Sequence, residues 1–176
     1  MLKIVQVPHK VLNSSTIPVT KIDQKIKDLV YEMEETLIAQ IDPQGVGLAA
    51  PQVGLPLSLF IMKTSPKAQT EVCINPKILQ IEQKIPPKVE KEENNKLEGC
   101  LSIPHIWGPL KRPSRVLLQY QDLTGETHTK WFSGFKAIVI QHEVDHLHGI
   151  LFTQRSLEQK ASLYEEKNGD LEKMKY

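Results

Sequence analysis

Two cysteines, Cys73 and Cys100, are all that 176 residues supply, too few for a disulfide scaffold. A dominant charge is missing too. The 22 Lys and Arg nearly balance the 21 Asp and Glu, leaving a formal +1, which argues against nucleic acid or an anionic membrane as the main partner. No apolar run approaches the ~20 residues of a membrane span. The opening segment, Met1 to Pro8, lacks the apolar stretch of a signal peptide. Internal repeats and long linkers are absent as well. These absences lead us to expect one reduced, cytoplasmic, monomeric domain over residues 1–176, with no sequence-specific nucleic-acid binding and no membrane contact. Its length is enough to bury a core without staples.

Periodicity supplies the elements. Ile22, Ile26, Leu29, Val30, Met33 and Leu37 share one face of a helix expected over 22–40. Asp42-Pro43-Gln44-Gly45 breaks it. Strands are expected over 57–62, 71–74, 116–121 and 127–132, the last two joined by the turn Asp122-Leu123-Thr124-Gly125-Glu126. A second helix opens after Ser133, taken as its cap, and stops near Gly149. Residues 86–96 mix both charge signs with almost no apolar side chains and read as a mobile surface insert. Residues 157–176 are charged and read as an exposed C-terminal helix. Strands in the middle with helices at the ends predict an α+β fold: antiparallel β-sheets around the second helix, with an N-terminal amphipathic helix and a C-terminal one.

That second helix carries the most informative stretch, Gln141-His142-Glu143-Val144-Asp145-His146. Histidines four apart stand on one helix face and can bind one divalent ion. Glu143, about 100° round the helix from His142, flanks that ion as a base for hydrolysis. Phe135, Ile138, Val139, His142 and His146 form one stripe, which suggests that the histidines continue a core-facing surface. Two histidines leave the site short of a ligand. Cys100 is the first choice for the third, since a thiolate needs a nearby cation at neutral pH; His105 and His128 compete with it. Gly45-Val46-Gly47-Leu48-Ala49-Ala50-Pro51-Gln52 permits a tight loop against another surface. Gln52 there can aim an amide N–H at developing negative charge.

Taken in order, G-V-G-L-A-A-P-Q at 45–52, E-G-C-L-S at 98–102 and Q-H-E-V-D-H-L-H-G at 141–149 resemble the three signature motifs of the peptide deformylases, with similarity over roughly residues 1–153. The resemblance implies that Cys100, His142 and His146 hold the metal. Fe²⁺ is the expected ion, with Zn²⁺, Ni²⁺ or Co²⁺ able to substitute. It also implies Glu143 as general base toward a metal-activated water, with Gln52 and the Leu101 backbone N–H stabilising the oxyanion. The implied reaction removes the formyl group from the initiator methionine of nascent polypeptides and releases formate. Its partners would be N-formyl-methionyl peptides near the ribosomal exit tunnel. A methionine pocket is expected from Val46, Gly47, Phe135, Ile138 and Val139, and Asp145 is a supporting partner for Arg112 or Arg115.

Three departures stand out. His105 occupies a place that is usually glycine in that family, His148 replaces a common polar amide, and the 86–96 insert lengthens the path between the first two motifs. Three other readings compete. An H-E-x-x-H endopeptidase would cut blocked peptides that lack a formyl group. A closed structural metal module would use His105 as fourth ligand, and an inactive paralogue would bind nascent chains without acting on them.

Overall fold

A computed structural model describes residues 1–82 and 97–175. The expected insert at 86–96 therefore lies outside the described residues. The chain runs α1 (Gln24–Ile38), β1 (Gly47–Ala49), β2 (Leu59–Met62), β3 (Glu71–Glu82), β4 (Leu97–Cys100), β5 (Ile103–Pro109), β6 (Arg115–Gln121), β7 (Thr127–Ser133), α2 (Phe135–Leu147), α3 (Phe152–Glu158), β8 (Tyr164–Lys167) and β9 (Asp170–Lys173). All strand pairs are antiparallel, in one sheet of order β1-β2-β3-β6-β7 and another of order β4-β5-β8-β9. The α+β expectation holds.

The β1–β2 end of the five-stranded sheet, with the start of β3, is buried on both faces. Side chains alternate along a strand, so β2 sends Phe60 and Met62 toward α2 and Leu59 and Ile61 toward α1. On the α2 side they join Cys73, Val116, Leu118, Phe132, Ile140 and Val144 in one core cluster. On the α1 side they join Val30, Met33, Leu37, Leu48 and Ile74. Each such fully buried side chain stabilises the fold by about 1.5–3 kcal/mol. The α1 helix starts where the Asp23 carboxylate accepts from the Lys25 and Ile26 N–H groups, which satisfies two orphan donors of the first turn.

Several expectations need correction. Ser133 is not the cap of α2: it ends β7, paired with Arg115, and the cap is Gly134 at φ 62°, ψ −136°. The chain turns there through a backbone conformation that glycine adopts without a Cβ penalty. The stripe through His142 and His146 faces the core only in part. Val139 joins Ala137, Ile140, Val144 and Leu147 in the core cluster and His146 is buried, while Phe135 is 50% exposed. The strand expected over 71–74 continues to Glu82, with Asn75 at φ 50° and a register shift between Ile74 and Lys77 that accommodates Pro76. The exposed helix expected over 157–176 is not formed. The third helix ends at Glu158, and residues 164–173 make the β8–β9 hairpin. Asn168 and Gly169 carry positive φ at its turn, the two-residue conformation that matches hairpin twist. Among the described residues no helix is long and apolar enough to cross a membrane.

Candidate active site

Three distant segments meet beside α2. Cys100 ends β4, which among the described residues is an edge strand paired with β5 alone. His142 and His146 face it from successive turns of α2, with ring centroids 4.9 Å apart. The ligand atoms of Cys100, His142 and His146 all lie within 4.8 Å of one another, and Cys100 Sγ is 3.2 Å from His146 Nε2. Burial would push the Cys100 thiol up, but the neighbouring His146 and His142 outweigh it and hold the thiol at about 5. It is therefore a thiolate at neutral pH, the form that ligates. Cys73 is the opposite case: buried among apolar groups, its thiol is pushed well up.

Glu143 is 3% exposed. Burial raises its carboxyl to about 7 against the opposing pull of His142 and His146, the range a general base needs. Among the described residues, its Oε2 and His146 Nδ1 are buried without a hydrogen-bond partner. An unpaired buried carboxylate oxygen is expensive, so it fits a centre shaped to hold a further polar group. Three close Cys/His donors, one of them a thiolate, fit a divalent transition metal with an open position. His105 is exposed on β5 and is not one of these mutually close donors. His128 is on β7, opposite Tyr120 of β6, where its Nε2 meets Asp122 Oδ2 at 2.7 Å. Neither competes as third ligand.

Gln52 sits in a single 3₁₀ turn (Ala50–Val53) and is 1% exposed. Its Oε1 accepts from the Ala49 N–H at 2.8 Å, which leaves Nε2 directed at Cys100 Sγ, 3.5 Å away. Leu101 follows Cys100 in the turn to β5 and lines the same cavity. That cavity has a volume of about 280 Å³, and Val46, Gly47, Phe135, Ile138 and Val139 all line it with His142 and Glu143. Glu143, Gln52, Leu101, Cys100 and His142 thus line one cavity with the five pocket candidates, and His146 adjoins it through Cys100 Sγ.

Gly47 has a particular steric duty. A Cβ there would collide with Glu143 Oε1 and come within 2.9 Å of both Glu143 Cδ and Val139 Cγ1. Gly47→Ala is expected to displace the carboxylate and lower kcat/KM on the order of 10²-fold, as a misplacement of about 1 Å does. Unchanged steady-state kinetics would contradict this placement of Glu143.

Two functional side chains, Glu98 and Arg155, escaped the sequence reading. His142 Nδ1 donates to Glu98 Oε1 at 2.7 Å, which leaves Nε2 free as the ligand atom. Arg112 holds Glu98 with two 2.7 Å bonds and donates to Asp145 at 2.9 Å. Arg155 of α3 donates to the other Asp145 oxygen at 2.9 Å. Of the two arginines expected beside Asp145, Arg112 is the one present; Arg115 pairs with Glu82 and stacks over Trp131. A signal for Glu98 did exist. Two residues before Cys100 on a strand, it stands on the same side.

A buried Cys/His/His donor set beside a carboxylate, carried by a helix in an α+β fold, is the arrangement of a metal-dependent hydrolase. Comparison with known proteins narrows the class. The peptide deformylase of Desulfotalea psychrophila is 37% identical over 172 residues, covering 95% of this chain and 94% of its own. That of Dictyoglomus turgidum is 39% identical over 169 residues, covering 95% and 99%. The crystal structure of the Thermotoga maritima peptide deformylase superposes with a TM-score of 0.75 at 37% identity, over 88% of this chain and 97% of that one. A Synechococcus elongatus peptide deformylase, solved in complex with actinonin, gives 0.76 at 31% identity, over 90% and 85%. The model of the polypeptide deformylase family matches residues 1–162, and the chain belongs to that family. It is an enzyme, a metal-dependent hydrolase that removes the N-formyl group from nascent polypeptides.

Proposed function

We propose that Cys100, His142 and His146 hold one divalent ion, Fe²⁺ with Zn²⁺, Ni²⁺ or Co²⁺ as substitutes, and that Glu143 is the general base of deformylation. When bound, such an ion supplies Lewis-acid polarisation and acidifies water. The observation that carries the reading is the buried Glu143 carboxylate, raised to about 7 with Oε2 unpartnered among the described residues, beside three close donors on the wall of an apolar cavity. Glu143 Oε2 takes the proton of the attacking water and later delivers it to the departing amine. Gln52 Nε2–H and the Leu101 N–H face the oxyanion that develops on the formyl carbonyl; losing one such donor lowers the rate on the order of 10²–10³-fold. Glu98 holds His142 in one tautomer, and Arg112 holds Glu98.

The methionine side chain enters the cavity between Val46, Gly47, Phe135, Ile138 and Val139. Both sheets end at this cleft: β1 and β4 each pair on one side only, so an extended peptide can bond to a free strand edge. The reading takes the protein as a monomer of one catalytic domain. The substrates emerge from the ribosome, which places the enzyme in the cytoplasm near the exit tunnel.

The test compares formyl-Met-Ala with acetyl-Met-Ala. The formyl peptide is expected to release formate while the acetyl peptide, one methyl larger at the reacting carbon, persists. Cleavage of an internal bond in a blocked peptide without a formyl group would favour an endopeptidase and contradict the proposal.

A further inference from the structure

A second recess, of about 210 Å³, adjoins the catalytic cavity, and Pro43, Gly99, Cys100, Leu101 and Trp107 line both. Its outer wall differs in chemistry. Gln6, Gln40, Asp42, His105 and Glu166 line it, and among the described residues no lysine or arginine does. Glu166 comes from β8, beyond the residues matched by the family model. Pairing of β8 with β5, Ile106 with Glu165 and Trp107 with Tyr164, carries it to the rim. There the Trp107 indole N–H donates to Glu166 Oε2 at 2.8 Å, which fixes the carboxylate in place. The hairpin's Lys167 is committed elsewhere, to Glu165 and Glu172. Among the described residues no ion pair involves Glu166 or Asp42.

Successive side chains of an extended peptide point to opposite faces. With methionine in the apolar cavity, the next side chain turns away from it, toward the far side of Gly99–Leu101, where the second recess lies. We infer that this recess receives the second residue of the substrate and that Glu166, with Asp42, selects a basic side chain there. The inference rests on the deformylating role above and names the class of nascent chain the enzyme handles fastest: formyl-Met followed by Lys or Arg. The carboxylates are partly exposed, so their attraction is modest and screened by salt.

The experiment uses metal-loaded enzyme with formyl-Met-Lys-Ala-amide and formyl-Met-norleucine-Ala-amide, which share a four-carbon stem and differ in the ammonium. The expected kcat/KM ratio at low salt is roughly two- to fivefold in favour of lysine. It should fall toward one in Glu166→Gln and further in Asp42→Asn/Glu166→Gln. In the parent enzyme it should also fall as the Debye length shrinks from about 30 Å at 0.01 M salt to about 3 Å at 1 M, a readout that needs no variant. A ratio of one in the parent at low salt, or a ratio unmoved by salt and by both variants, would overturn the inference while formate from the norleucine peptide left the deformylating role standing. No formate from either peptide would overturn both.

Discussion

Cys100→Ala is expected to strip the centre of its metal and reduce formate release to background. Two histidines remain, one turn apart on α2 with Nε2 of His142 freed by its bond to Glu98, but a catalytic site ordinarily uses three protein ligands. The lost ligand is also the anionic one, its thiol held at about 5 beside His146 and His142. The protein itself should survive. Cys100 belongs to a small cluster with Ile103 and Phe152, apart from the two cores on either face of β1–β3. Metal analysis after gel filtration, with thermal unfolding beside it, separates these outcomes. A stoichiometric metal content in Cys100→Ala would remove Cys100 from the ligand set.

The second large effect falls on stability. Arg112, with its side chain 7% exposed, stands between Glu98 and Asp145. Arg112→Met would take from two buried carboxylates the cation they share, leaving Asp145 with Arg155 and Glu98 with its single bond to His142. Breaking a buried pair in this way destabilises by about 3–5 kcal/mol, to be measured by urea unfolding at pH 7 in one defined metal state. The pH dependence identifies the cause. Burial would raise the Glu98 carboxyl, but its bonds to Arg112 and His142 outweigh that and hold it at about 2, below an ordinary value of 4.5. A carboxylate depressed on folding stabilises the native state above its unfolded pKa and loses that contribution as pH falls through its folded one. The gap between parent and Arg112→Met should therefore be widest at neutral pH and narrow from about 4.5 down to about 2. A gap independent of pH would assign the loss to packing instead.

Features governed by local chemistry were legible in the sequence. The apolar period of α1, the Asp122–Glu126 turn and the one-turn spacing of His142 and His146 each depend on neighbours within a few residues, and each stands as read. Gly47 and Gln52 share a short loop whose sequence already indicated close packing. What escaped depends on distant partners. Glu98 and Arg155 look like ordinary surface charges in sequence, because joining them to the expected Arg112–Asp145 pair needs β4, α2 and α3 brought together. The α2 stripe is a core face only in part for a related reason. An apolar stripe marks a face shielded from water, and a cavity lined by Phe135, Ile138 and Val139 extends the pattern of the core that Val139 also joins. The β8–β9 hairpin had a local signal, Asn168-Gly169, outweighed by the charged residues around it.

The measurement that bears most directly on the central claim is formate release from formyl-Met-Ala by anaerobically purified, Fe²⁺-loaded enzyme, run beside Glu143→Ala with the metal content of both determined. The account predicts turnover by the parent and a loss of about 10²–10⁴-fold in the variant, with equal metal in the two. A fully metallated Glu143→Ala that releases formate at the parental rate would contradict the assignment of Glu143 as the base.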